Sequence, residues 1–214
     1  MAYGLLQHDM VERFLLHFFA MAAHTYTRGT WTTPEATHPD RDVASTAYVA
    51  AGVVTAPTYL RWALLFEEPQ NKTMWVGKAV PRDWLAPAET PVIATSIPTR
   101  YGRISFKLDG CQAPRGSVAG SGGYTATAEV TVAKTFGTTE LTTPSGGLRV
   151  RFRVPSAHAG KMVSATVGGQ TWSDFDPAAE TVDFSAAQLG SAELRETGLR
   201  SIVATFGPAA GSNV

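Results

Sequence analysis

The sequence predicts an α+β fold, an N-terminal antiparallel helical hairpin followed by an antiparallel β-sandwich, and three observations carry that expectation. Apolar residues recur at steps of three and four from Leu5 to Thr27 and again from Ser45 to Glu68. Beyond residue 70 the period falls to two, with apolar and polar residues alternating along several short segments. Turn signals such as Gly168-Gly169 punctuate that second part. The expected division is 1–88 for the hairpin and its linker and 89–214 for the sandwich.

In the first helix Met10, Phe14, His17, Met21 and His24 form one stripe, and Val11, Leu15, Phe18, Ala22 and Tyr26 a second beside it. No Gly or Pro interrupts the run, and Arg28-Gly29 closes it. A helix apolar on two stripes needs neighbours on several faces. A second subunit, or a preceding N-terminal part of the protein, is expected to cover it. Residues 29–43 read as a loop; a helix–helix connection of about 15 residues is usually functional or disordered, and the tryptophan in its middle favours function. The second helical segment is split by Pro57, whose second half then starts with proline in its first turn.

After residue 70, Met74-Trp75-Val76-Gly77 reads as a strand and Pro81 to Leu85 as one helical turn. Ile104, Phe106 and Leu108 alternate with polar neighbours, as do Ala126, Ala128, Val130 and Val132. So do Leu148, Val150, Phe152 and Val154, then Val163, Ala165 and Val167 ahead of the Gly168-Gly169 turn. Val182 with Phe184, and Ile202 with Ala204 and Phe206, complete the set. Such alternation implies strands with one wet and one buried face.

Lys plus Arg equals Asp plus Glu at 18 each, so the chain carries no net charge to condense on nucleic acid or anionic membrane. The one cysteine, Cys111, allows neither an internal disulfide nor a cysteine zinc site. No apolar run is long enough to span a bilayer, and the first 25 residues, broken by Asp9, Glu12, Arg13 and His17, do not read as a signal peptide. No cofactor and no metal is expected.

The segment from His24 through Arg28 and Trp31 to Glu35 holds the densest chemistry. An indole can stack on the apolar face of a pyranose while charged groups take its hydroxyls, and a carboxylate can activate water. The plainer alternative makes Glu35 a solvated loop residue and Trp31 a packing anchor. His17 and His24 share a helical face, as substrate contacts, metal ligands or hydrogen-bonded core histidines; no His-Glu-x-x-His motif supports a metal. Arg149, Arg151 and Arg153 alternate along one strand, either as an anion patch or, the commoner case, as its solvated side.

Four strings resemble the closing region of six-hairpin glycosidases. They are Tyr26-Thr-Arg28-Gly-Thr-Trp31-Thr-Thr-Pro-Glu35, Tyr59-Leu-Arg-Trp62-Ala-Leu-Leu-Phe-Glu67, Trp75-Val-Gly-Lys-Ala-Val-Pro-Arg-Asp-Trp84-Leu and Pro98-Thr-Arg-Tyr101-Gly-Arg103-Ile-Ser-Phe. The resemblance covers residues 1–110 in motif detail and the remainder by strand pattern. It implies that the hairpin is the last of an (α/α)₆ toroid, with a β-sandwich attached. It also implies a carbohydrate substrate hydrolysed with inversion. Glu35 would be the general base, Trp31 and Arg28 sugar contacts with His24 beside them, and the general acid a residue of an earlier hairpin. Two rivals remain: a non-catalytic carbohydrate-binding or interaction module built on the sandwich, and a helical-hairpin dimerisation protein in which self-association covers the apolar helix.

Overall fold

The computed structural model describes residues 1–25, 33, 49–87, 89–112, 123–133, 136, 138–191, 199 and 201–208. The chain is mixed α and β, with short helices and two mostly antiparallel sheets. It divides into two compact units, Met1–Leu64 and Leu65–Val214.

The first unit holds α1 (Ala2–Gln7), α2 (Val11–Thr25), α3 (Ala50–Val53) and α4 (Thr55–Leu64). The single N-terminal helix expected from periodicity is in fact two. Asp9 adopts φ +54, a left-handed conformation that Asp tolerates better than most side chains. The Asp9 N–H donates to Leu6 O (3.2 Å) and the Met10 N–H to Leu5 O (2.7 Å). These are the paired bonds of a Schellman stop, with Asp in the place usually taken by Gly.

α2 buries Val11, Phe14, Leu15 and Phe18, drawn from both predicted stripes, and leaves Leu16 and Phe19 exposed. Its buried face meets α4 through Tyr59, whose ring centroid lies 5.9 Å from that of Phe14 and 6.2 Å from that of Phe18. Tyr59 in turn stacks on Trp62 at 5.4 Å, and Trp62 meets Tyr3 edge-on at 5.2 Å. The break before α4 falls at Val54, leaving Pro57 within the first turn of α4, where its missing N–H is harmless. Of the segment between α2 and α3, Thr33 is described: it is fully buried, and its carbonyl accepts the Val49 N–H at 3.1 Å.

The helix expected to run to Glu68 ends at Leu64. Leu65–Glu68 is strand β1, paired antiparallel with β2 (Thr73–Val76). Pairing with β2 takes these four residues out of the helix, and Pro69 biases Glu68, the residue before it, away from helical backbone. β2 also pairs in parallel with β6 (Leu148–Arg151), which pairs with β10 (Thr181–Phe184), and that with β9 (Phe175–Asp176). This gives a five-stranded sheet of order β1-β2-β6-β10-β9. The second sheet has the order β3-β4-β5-β11-β7-β8, antiparallel throughout. Its strands are β3 (Val92–Thr99), β4 (Gly102–Gln112), β5 (Tyr124–Val132), β7 (Met162–Val167), β8 (Gln170–Trp172) and β11 (Ile202–Phe206).

The pleat follows the alternation along β4, β5, β10 and β11, where Ile104, Phe106, Leu108, Ala126, Ala128, Val130, Val182, Phe184, Ile202, Ala204 and Phe206 are all buried. Gly168 and Gly169 both take positive φ (+57 and +80), which the tight β7–β8 turn requires. One phase differs from expectation. Val163 is exposed, because the β7–β11 register shifts at Thr205/Phe206 and turns Met162 inward instead. β3 carries no clean alternation because a register shift between Ala94 and Ile97, with Ser96 at φ +56, interrupts its pleat.

The arginine ladder is a larger correction. Arg151 and Arg153 are buried, not solvated. β6 ends at Arg151, and the chain that follows β2 comes close enough to accept both guanidinium groups. Arg151 Nη1 lies 3.5 Å from Lys78 O, and Arg153 Nη1 donates to Val80 O at 3.1 Å. Arg82, in the helical turn Arg82–Leu85, reaches back to donate to Val154 O at 2.7 Å. Backbone carbonyls thus face guanidinium groups that side-chain patterning alone assigns to water.

Candidate functional site

Arg28, Trp31 and Glu35 lie outside the described residues, as does the side chain of His24. The helical stripe they follow is described as far as Met21, which packs against Phe18, and its His17 is half-buried with its ring centroid 5.8 Å from that of Tyr59. His158 is buried against Tyr124, and its Nδ1 lies 3.0 Å from Gly207 O. The Tyr124 hydroxyl donates to Leu85 O, and burial pushes its pKa up to about 12, with the negative charges of Cys111 and Asp109 adding to the effect. Both rings act as packed, hydrogen-bonded core groups.

The described residues bring polar side chains together in one place that sequence reasoning did not single out. An open cleft of about 440 Å³ lies along β6, β10 and β9 and is lined by Arg149, Ser173, Asp174, Phe175, Asp183 and Gln188 among others. Its wall is fixed by local sequence chemistry. Ser185-Ala-Ala-Gln188 is a capping box opening the short helix α5 (Ala186–Leu189). The Ser185 N–H donates to Gln188 Oε1 at 2.6 Å, and the Gln188 N–H to Ser185 Oγ at 3.3 Å. The side-chain Nε2 of Gln188 donates to Asp174 Oδ2, and Ser173 Oγ stands 3.5 Å from Asp174 Oδ1. The Asp183 N–H donates to Asp174 O at 2.8 Å, and the Trp172 indole N–H to Asp183 O at 3.0 Å.

Arg149 and Asp183 sit directly opposite each other on β6 and β10. Arg149 Nε and Asp183 Oδ2 are 3.9 Å apart, an ion pair but beyond hydrogen-bonding distance. Asp183 Oδ1 is buried and has no hydrogen-bond partner among the described residues. The Arg149 guanidinium also lies 4.8 Å from the centroid of the buried Trp75 ring, which the Lys78 ammonium approaches to 3.5 Å. Burial raises the Asp183 pKa above its ordinary 3.8; the Thr181 hydroxyl, close by but short of hydrogen-bonding geometry, and Arg149 lower it, while Asp176 and Asp174 raise it. The sequence carried one signal for this pair, two opposite charges at polar positions of facing strands.

The raised carboxyl has a definite consequence for stability. The folded protein holds this proton more tightly than the unfolded chain, so stability falls as pH rises from about 3.8 through the folded value and stays lower above it. Asp183→Asn removes that slope. Because the half-exposed pair with Arg149 is worth little, the variant should stay within about 1 kcal/mol of wild type at pH 7. Denaturation midpoints between pH 3 and 7 test this; a loss of several kcal/mol at pH 7 would mean that the ionised carboxylate is structural.

Among the described residues, no group of three or more His, Cys, Asp or Glu side chains could hold a metal ion, and no helix is long and apolar enough to cross a membrane. No family model matches the chain, and neither a curated protein nor a solved structure is found to be similar to it.

Proposed function

We propose that this chain belongs to a carbohydrate-active protein of the six-hairpin glycosidase type, hydrolysing a glycosidic bond with inversion. Glu35 activates the attacking water, and Trp31, Arg28 and His24 grip the sugar. The helices flanking residues 26–48 form a hairpin of an α/α toroid, and the two sheets pack as a β-sandwich. The element order supports this reading most directly: helices on both sides of the segment that carries Arg28, Trp31 and Glu35, then two mostly antiparallel sheets. The four motif strings lie in that same order. In such enzymes an earlier hairpin provides the general acid, so binding is the first property to test in this chain.

Titration calorimetry against a panel of neutral oligosaccharides is the test. Trp31→Ala should weaken binding about tenfold, since stacking on a sugar ring acts on bound substrate and transition state alike. Where hydrolysis is measurable, the first product seen by NMR should carry the inverted anomeric configuration. Unchanged affinity in Trp31→Ala, or a retained configuration, overturns the reading. A non-catalytic carbohydrate-binding module is the second reading, favoured by the polar cleft beside β10, which is separate in sequence from the Trp31 segment.

A further inference from the structure

We propose that the cleft along β6, β10 and β9 is a binding site for one unit of a neutral sugar, with Arg149 and Asp183 sharing a ligand hydroxyl. The choice of sugar rests on the carbohydrate reading above; the cleft itself stands on its own geometry. Its volume, about 440 Å³, falls in the range of small-ligand sites.

The spacing of the ion pair is the central observation. Across 3.9 Å the guanidinium and the carboxylate do not bond to each other. One hydroxyl oxygen between them can accept from Arg149 and donate to Asp183 Oδ2, which satisfies both charges at once. Hydrogen bonds to charged groups are the stronger class, and a hydroxyl is the group that can serve both partners.

The neighbouring acceptors are already held in place. Asp174 is tied by Gln188 and Ser173, and Gln188 by the capping box of α5, so this wall loses little freedom on binding. The half-buried Phe175 gives the same cleft apolar surface.

Charge selects the class of ligand. Asp174 and Asp183 line the cleft with Asp176 adjacent, against the single guanidinium of Arg149. This surplus repels sulfate, phosphate and uronic acids, and the carboxylates ask for hydrogen-bond donors. A bare cation is no better served, because Arg149 stands beside Asp183, and the described acids do not assemble into a metal-binding group.

The test is a ¹H–¹⁵N NMR titration of the full chain with neutral methyl glycosides, with glucuronate and, separately, with calcium chloride. A bound methyl glycoside should shift the Trp172 indole N–H, which reports on Asp183, and the amides of residues 173–176 and 183–188. Asp183→Asn and Arg149→Gln should each weaken that response about tenfold, with thermal melts showing that both variants remain folded. Glucuronate should bind at least about tenfold more weakly than the neutral glycosides. The proposal is overturned if no neutral glycoside shifts these signals at about 100 mM. It is equally overturned if calcium gives the same shifts, or if the response survives both cleft variants and disappears in Trp31→Ala. That last result leaves the Trp31–Glu35 reading standing. Conversely, cleft binding that Trp31→Ala does not touch supports this site whatever becomes of that reading.

Discussion

Arg82→Met lowers the stability of the second unit by about 3–5 kcal/mol. Glu180 is 1% exposed and stands at φ +59, in the left-handed region. Its carboxylate accepts from Arg82 through two parallel bonds, Nη1 to Oε1 at 3.0 Å and Nη2 to Oε2 at 2.8 Å. The Gly160 N–H adds a longer contact at 3.4 Å. The backbone of Glu180 is engaged too, since its carbonyl accepts the Phe152 N–H at 2.8 Å. Arg82 thus joins three segments: its own helical turn, the chain leaving β6 at Val154, and the turn before β10. Methionine keeps the aliphatic stem and removes the charge, which leaves a buried carboxylate with one weak donor. The desolvation cost of that carboxylate is then uncompensated, and it dominates the loss of the pair's own modest net energy. Glu180→Gln should cost less, because Arg82 is 23% exposed in its side chain and water can reach it. The double variant should be more stable than Arg82→Met alone, a coupling that chemical denaturation resolves through a double-mutant cycle. In heat, the Arg82→Met midpoint should fall by about 10 °C. A loss below about 1 kcal/mol for Arg82→Met would show that the pair behaves as a surface contact.

The strands were legible in the sequence where burial is one-sided. Ile104-Ser-Phe106-Lys-Leu108 alternates, and its apolar residues are the buried ones. Elsewhere the signal is overridden by contacts distant in sequence. Arg151 at the end of β6 and Arg153 just beyond it fall at the polar positions of the alternation, yet carbonyls 73 residues away receive them, a fact with no local trace. Glu67 and Glu68 read as the polar end of a helix, while Pro69 and the pairing with β2 make them strand. The stop at Asp9 escaped notice because αL caps are expected at Gly, and Asp fills that role less often. The cleft was invisible for a related reason. Arg149, Asp174, Asp183 and Gln188 come from three strands' worth of chain and a capping box, and only strand pairing brings them together. The Arg28–Glu35 segment is contiguous in sequence and lies outside the described residues, so its reading rests on the residue types alone.

On the proposed hydrolase reading, Glu35→Gln lowers hydrolytic turnover by ~10²–10⁴, the usual worth of a general base. The carboxylate's task in an inverting site is narrow. It takes a proton from water as that water attacks the anomeric carbon, from the face opposite the leaving group. The two carboxyl groups then stand roughly 6.5–9.5 Å apart, which leaves room for the water. Glutamine preserves size and most hydrogen bonding but cannot accept the proton, so the loss should appear in kcat with KM nearly unchanged. On the same reading Trp31→Ala divides the other way, since an indole stacked on a sugar before and during the reaction is felt, when removed, as weaker binding. The two variants therefore separate a catalytic role from a gripping role within one segment of chain. A third variant, Arg28→Lys, keeps the charge but loses the planar fork that can hold two hydroxyls at once, and should fall between them in affinity. Steady-state kinetics of the three proteins on a cleavable glycoside decides the matter. Wild-type turnover in Glu35→Gln would transfer the water-activating role to another carboxylate and leave Glu35 as a solvated loop residue.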